Sequence, residues 1–170
     1  MDPLLIFLRV VHVVGGVFWA GAILFVTHFL EPAVRDAGPD GAKVMQALQK
    51  RRYLDVMPAV AALTLVSGFW LYFRTFGRVH PGPGASGVEL VLAVGGLASL
   101  AAFAVGVSVM RPSAIRVGRL GAQLAQVPAE RKEVLAAELA RLRVRLRVAG
   151  RVVAALLGVA IVCMAVGRYV

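Results

Sequence analysis

The stretch that decides the fold is LLIFLRVVHVVGGVFWAGAILFVTHFL, residues 4–30. Nearly all of it is apolar, and a helix of about 20 apolar residues is long enough to cross the hydrocarbon core of a bilayer. Three more apolar runs follow, at residues 56–73, 88–110 and 148–167. We therefore predict an all-α integral membrane protein, an antiparallel four-helix bundle that forms a single transmembrane domain over residues 1–170.

The composition agrees with a membrane protein. Hydrophobic residues make up 59% of the chain and charged residues only 16%, whereas soluble domains carry about 25% charged residues. The formal net charge is +10, but the charges lie mostly between the apolar runs, so we expect the bilayer and not nucleic acid as the partner. The single cysteine, Cys163, excludes an intrachain disulfide. The N-terminus has no basic region typical of a cleaved signal peptide, and no internal repeat is evident.

The connections between the apolar runs differ in length and character. Residues 31–55 and 111–147 are long, and we predict that they form short amphipathic helices. A break is expected near Pro128, because proline suits the first turn of a new helix, and the helix after it should continue into the last span. The connection between the second and third spans is rich in proline and glycine, which predicts an irregular loop.

The distribution of basic residues predicts the orientation in the membrane. Fifteen of the 19 lysines and arginines lie in or beside the two long connections. Only four lie on the other side, namely Arg9, Arg74, Arg78 and Arg168. Because positively charged loops stay in the cytoplasm, we predict a multi-pass protein of a prokaryotic-type inner membrane, with both termini outside and the long loops cytoplasmic.

A cluster of arginines precedes the last span, in RLRVRLRV at residues 141–148. The alternation is typical of a strand, but a lone strand beside a bilayer has no hydrogen-bonding partner, so we predict a helix. Its basic residues would form a collar next to the membrane that contacts anionic lipid headgroups or another subunit; an orientation signal alone also explains it. The collar comprises Arg141, Arg143, Arg145, Arg147 and Arg151.

His12 is the main candidate for chemistry. Helical spacing places His12, Gly16 and Trp19 on one face of the first span. Imidazole is a common haem b ligand, and a glycine one turn away leaves room for a flat macrocycle. The hypothesis is that His12 binds haem iron beside Gly16 and Trp19. Met164 and Cys163 lie at a suitable depth in the fourth span, and Met164 is the predicted second axial ligand. In the alternative, His12 hydrogen-bonds to a neighbouring helix and Gly16 allows close helix packing.

Other polar groups are predicted to have structural roles. His28 lies about 24 Å further along the same helix and on another side, so it cannot share a metal with His12. His80 is expected to be a solvated loop residue. Arg9 and Glu89 are predicted to pair near lipid, and Asp55 is predicted to pair with Arg51 or Arg52. The sequence contains none of the motifs of hydrolases or phosphate-binding enzymes.

The segment HVVGGVFWAGA, residues 12–22, resembles the opening helix of the HemJ-type protoporphyrinogen oxidases and the related CopD-type copper-resistance membrane domains. Those families have a histidine followed by tryptophan and a small Ala-Gly pair, here His12, Trp19, Ala20 and Gly21. The segment QKRRYLDVMPAVAALTLVSGFWL, residues 49–71, is also similar. The resemblance implies an antiparallel helical bundle and, for the HemJ branch, haem binding through His12.

One departure from the HemJ pattern bears on activity. That branch depends on a lysine early in its third helix, whereas the three lysines here are Lys43, Lys50 and Lys132. Its absence argues against protoporphyrinogen oxidase activity, and we expect a protein that is not an enzyme. Two functions remain open. One is porphyrin binding for electron transfer or tetrapyrrole handling. The other is a non-catalytic accessory subunit of a larger respiratory or photosynthetic membrane complex, or of a homo-oligomer.

Overall fold

The computed structural model describes residues 2–77, 81–124, 126 and 128–170, and all regular structure in these residues is helical. Four of the helical segments are long and apolar enough to cross a membrane, which confirms the predicted class of a polytopic α-helical membrane protein. The elements in chain order are α1 (Pro3–Phe25), a π-helical turn π1 (Val26–Leu30), α2 (Glu31–Asp36), α3 (Gly38–Lys50), α4 (Tyr53–Phe76), α5 (Gly87–Val105), a second π-helical turn π2 (Gly106–Met110), α6 (Arg111–Leu124), α7 (Ala129–Val166) and a closing 3₁₀ turn (Gly167–Tyr169).

Local sequence signals set several helix ends. The side chain of Asp2 accepts a hydrogen bond from the Leu4 N–H at 3.0 Å, and Pro3 occupies the first turn of α1. Ser86 caps α5 in the same way by accepting from the Glu89 N–H at 3.3 Å. At the other end of α4, Gly77 has a φ of +70°, the left-handed conformation that commonly terminates helices. These caps satisfy backbone groups that a helix end otherwise leaves without partners.

The two π-helical turns have a common cause in the sequence. Each is followed by a charged residue and a proline, Glu31-Pro32 after π1 and Arg111-Pro112 after π2. Proline has no N–H to donate, and its ring would clash with the carbonyl four residues earlier. The helix widens instead: the Glu31 N–H bonds to the Val26 carbonyl and the Arg111 N–H to that of Gly106, both five residues back. The predicted spans over 4–30 and 88–110 did not include this change of helix type.

The spans pack mainly in two pairs, α1 with α4 and α5 with α7. In the first pair His12 contacts Gly68 and Gly15 contacts Thr64, so residue numbers rise along α1 as they fall along α4. All four spans meet in one buried cluster, formed by Trp19, Ala20, Ile23, Ala61, Ala102, Val153, Ala154 and Leu157. Much of this cluster is small, which brings the helix backbones close together in an environment where water supplies little driving force.

The helix α6 contacts both α7 and α3. α6 packs against α7, with an ion pair between Arg116 and Glu138. The side chain of Gln49 on α3 donates to the Ala114 carbonyl on α6 at 3.2 Å. The chain breaks before α7 at Pro128, as predicted, and α7 then continues for 38 residues into the fourth span, so RLRVRLRV is helical.

Candidate functional site

The polar centre of the transmembrane region is His12, half-buried on α1. Its Nδ1 lies 2.8 Å from the backbone carbonyl oxygen of Thr64 on α4. A carbonyl oxygen only accepts hydrogen bonds, so Nδ1 carries the proton and donates it. In the neutral imidazole Nε2 then has a free lone pair, which is the form that binds a metal or accepts a proton.

The carbonyl that receives this hydrogen bond is shared. The hydroxyl of Ser67 lies 3.0 Å from the same oxygen and 2.8 Å from the Leu63 carbonyl. The Thr64 hydroxyl donates to the Val60 carbonyl at 2.9 Å. Every polar side chain of this group therefore has a partner on α4, as groups within an apolar slab require. His12 is held in one orientation by backbone that cannot be moved without distorting the helix.

Two glycines allow the close approach of α1 and α4. A Cβ added at Gly68 would lie 2.5 Å from Cε1 and 2.8 Å from Nδ1 of His12, so the imidazole lies against the bare backbone of α4. A Cβ added at Gly15 would lie 2.5 Å from Oγ1 of Thr64. Thr64, Ser67 and Gly68 lie in the segment 49–71 but are not among the predicted site residues. The signal that could have found them is the small-residue spacing of Thr64 and Gly68, four residues apart on one helix face.

The predicted partners of His12 on α1 lie on the inner side of the helix. A Cβ added at Gly16 would make an ordinary contact, 3.6 Å, with Cγ2 of Thr64. Gly16 thus faces the same residue that holds His12. Trp19 is 5% exposed and belongs to the buried cluster where the four spans meet. Within this chain the contact of Gly16 is of the kind that the close-packing alternative describes, and Trp19 packs in the buried cluster.

Met164 lies at a different interface. The methyl carbon of Met164 would be 3.4 Å from a Cβ added at Gly95, so Met164 contacts α5. Met164 is 41% exposed. His12 contacts α4. None of the described contacts joins Met164 to His12. The role of Met164 as a second axial ligand stays a prediction. Two small residues of α5 pack closely: a Cβ at Gly95 would lie 2.9 Å from that of Cys163, and Ala102 is fully buried.

The remaining histidines are separate from this centre. His28 lies in π1, exposed, with Nδ1 donating to the Leu24 carbonyl one turn earlier at 3.0 Å. His80 lies outside the described residues. Among residues that the structure describes, no three His, Cys, Asp or Glu side chains form a group able to hold a bare metal ion. A porphyrin supplies four ring nitrogens itself and needs only one or two axial ligands from protein.

The charged residues differ in part from the predictions. Among the described residues no ion pair joins Arg9 to Glu89. Arg9 is exposed, whereas Glu89 is 1% exposed. The Tyr72 hydroxyl donates to the backbone carbonyl of Glu89 at 3.3 Å. Asp55 pairs with Arg52 at 3.7 Å, as predicted, and also with Arg111 at 2.9 Å, which the sequence did not indicate.

The arginine collar is exposed with one exception. Arg141, Arg143, Arg145 and Arg151 are exposed on α7. Arg147 is half-buried and its Nε lies 2.9 Å from Oε1 of Glu31 at the start of α2. Arg147 therefore joins α7 to the start of α2 in an internal ion pair. The other four collar arginines have no ion pair among the described residues and would be able to contact a headgroup.

No protein-family model, curated protein or solved structure matches this chain. Its function therefore has to be inferred from the geometry around His12.

Proposed function

We propose that this chain is a porphyrin-binding membrane protein that holds haem b through Nε2 of His12. The observation that carries the proposal is the 2.8 Å hydrogen bond from Nδ1 to the Thr64 carbonyl. Histidines that bind metals usually donate their other ring N–H to a carbonyl or carboxylate, which fixes the tautomer and the ring orientation. The bound haem would supply a one-electron redox centre, for electron transfer or tetrapyrrole handling.

The chain's own residues would prepare the ligand. Thr64 fixes the tautomer, and Gly68 gives the ring space against α4. Gly16 and Trp19 are the proposed α1 neighbours of the cofactor. This arrangement needs no catalytic residue from the protein. We therefore propose a binding protein and not a protoporphyrinogen oxidase.

The visible spectrum of the purified protein tests this proposal. We expect a Soret band that survives washing and sharpens on reduction, and we expect His12→Ala to remove it. His28→Ala is the matched control, because His28 has the same Nδ1-to-carbonyl bond but lies in π1, and its spectrum should equal that of the native protein. Met164→Leu tests the second ligand. A folded, colourless native protein would refute the proposal.

A second part of the proposal concerns the arrangement and orientation of the spans in the membrane. We propose that the spans form an antiparallel bundle in an inner membrane, with both termini outside and the α2, α3 and α6 helices in the cytoplasm. The charge distribution supports this orientation. The exposed collar arginines would contact anionic lipid headgroups there. Single cysteines placed at Gln126 and near Pro83 in a Cys163→Ala background test it, because a membrane-impermeant thiol reagent should label only the second in intact cells.

A second function is proposed from the open glycines of the spans. Cβ atoms added at Gly21, Gly96 or Gly158 would meet no atom within 4 Å. Such positions let a helix of another subunit approach closely, which supports an accessory role in a larger membrane complex. If so, native-like extraction should yield stoichiometric partner subunits, and Gly96→Leu should release them. A monomer after mild extraction, unaffected by Gly96→Leu, would contradict this role.

A further inference from the structure

The two π-helical turns occupy equivalent places in the chain. π1 begins at Val26 and π2 at Gly106, a shift of 80 positions (26 to 106). The same shift aligns Glu31-Pro32 with Arg111-Pro112, so both the helix defect and the proline that causes it recur. A π-helical turn is rare in proteins. Its recurrence at one spacing points to a repeated unit.

The same shift of 80 also aligns the helices that precede the turns. VVGG at residues 13–16 corresponds to AVGG at residues 93–96, and Ala22 to Ala102. The first glycine of each pair has the same function. Gly15 allows α1 to approach Thr64 of the next span, and Gly95 allows α5 to approach Cys163 of the last span.

One turn earlier, the contact of His12 also recurs. His12 lies against Gly68, four residues after Thr64. The equivalent residue of α5 is Leu92, which lies against Gly167, four residues after Cys163, with Cδ2 3.0 Å from an added Cβ. Thus α4 corresponds to α7, and Leu92 has the place in the second pair of spans that His12 has in the first.

The contacts between the two pairs of spans are reciprocal. Glu31 follows π1 and pairs with Arg147 on α7 at 2.9 Å. Arg111 follows π2 and pairs with Asp55 on α4, also at 2.9 Å. Each pair thus links the end of one unit's first helix to the other unit's second helix. The correspondence is one of elements and not of single residues, because the shift of 99 positions that aligns Thr64 with Cys163 (64 to 163) aligns Asp55 with Ala154 and not with Arg147. Reciprocal contacts between elements are what a twofold axis between like units produces.

We propose that residues 3–76 and 87–169 are two copies of one two-span unit, related by a pseudo-twofold axis along the bundle, and that the second copy retains an equivalent of the His12 site in which Leu92 replaces the imidazole. The part concerning a ligand rests on the proposed porphyrin function. The backbone acceptor is retained as well, since the Cys163 carbonyl corresponds to that of Thr64. Restoring the imidazole should therefore create a second site for the same planar macrocycle.

The test is Leu92→His in the full chain. In ¹⁵N-histidine NMR of the detergent-solubilised protein, the introduced imidazole should show a protonated Nδ1 and a bare Nε2 before haem is added, as His12 does. After haem addition the bound haem should rise about twofold per chain relative to native protein. The control is Val94→His, two residues along on the same helix and 52% exposed, which should show neither effect.

The two readouts separate this inference from the proposed function. If native protein and variant both bind no haem but the introduced imidazole has the Nδ1–H form, the porphyrin function fails and the repeat is supported. A folded Leu92→His protein with the opposite tautomer, or one that behaves as Val94→His does, overturns the inference. Should Leu92→His not fold, the exchange variant His12→Leu/Leu92→His conserves composition. It should keep about one haem per chain if the sites are equivalent and lose all haem if they are not.

Discussion

Gly68 lies directly against the imidazole of His12, with no space between them for a methyl group. A Cβ there would be 2.5 Å from Cε1 and 2.8 Å from Nδ1. The Nδ1 of the same ring is held by the 2.8 Å hydrogen bond to the Thr64 carbonyl, also on α4. The orientation of His12 is therefore determined by α4, through the Thr64 carbonyl that accepts its hydrogen bond and through the lack of a side chain at Gly68.

Gly68→Ala should displace the ring of His12 and break its hydrogen bond to Thr64. Overpacking of this kind destabilises proteins by about 1–3 kcal/mol. We expect lower thermal stability in detergent together with a weakened or shifted Soret band. Gly121→Ala on α6 is the control, since a Cβ there meets nothing within 4 Å. Equal behaviour of the two variants would contradict the described packing.

Gly15→Ala should separate α1 from α4 at Thr64. The added Cβ would lie 2.5 Å from Oγ1 of Thr64, and that hydroxyl cannot swing away without losing its bond to Val60. We expect a loss of about 1–3 kcal/mol, measured by unfolding in mixed micelles. Thr64→Ala removes the clashing atom, so the double variant should recover most of the loss. An additive result in this double-mutant cycle would exclude a direct contact.

Gly16→Ala tests whether Gly16 contacts a bound porphyrin or only allows close packing of α1 and α4. Within the chain the new methyl makes only an ordinary contact, 3.6 Å from Cγ2 of Thr64, and alanine favours a helix interior by roughly 1 kcal/mol over glycine. Stability should therefore be kept or increased. If a porphyrin lies against Gly16, haem affinity should fall at the same time. Unchanged affinity in a titration would place the macrocycle elsewhere around His12.

The fold class could be predicted because the four apolar runs are unusually clear. Length and composition determine that a helix crosses a bilayer, and both are properties of a local window. The π-helical turns were missed for a related reason. Pro32 and Pro112 are at the ends of the apolar runs, where proline commonly marks a helix boundary, but here the helix continues through them after widening. The two prolines indicate that the helix changes at these positions, but not that it widens and continues.

The surroundings of His12 could be predicted only in part. The histidine itself stands out because an ionisable group within a span is unusual. Its partner is a backbone carbonyl, which every residue has, so no pattern of side chains singles out Thr64. Depth along α7 makes Met164 a candidate second ligand, but depth does not specify which neighbouring helix a side chain faces. That choice is made by the packing of small residues, here Gly95 against α7.

Arg147→Ala should destabilise the protein more than Arg143→Ala does. The Arg147 and Glu31 side chains are 29% and 33% exposed and 2.9 Å apart, whereas Arg143 is exposed and has no ion pair among the described contacts. Partly screened pairs contribute up to about 1 kcal/mol. We expect that loss for Arg147→Ala, and a negligible one for Arg143→Ala. In a cycle with Glu31→Gln the double variant should lose no more than Arg147→Ala alone, because the two side chains act through one contact. A larger loss in the double variant than in Arg147→Ala would show that Glu31 also stabilises the protein through a contact other than Arg147.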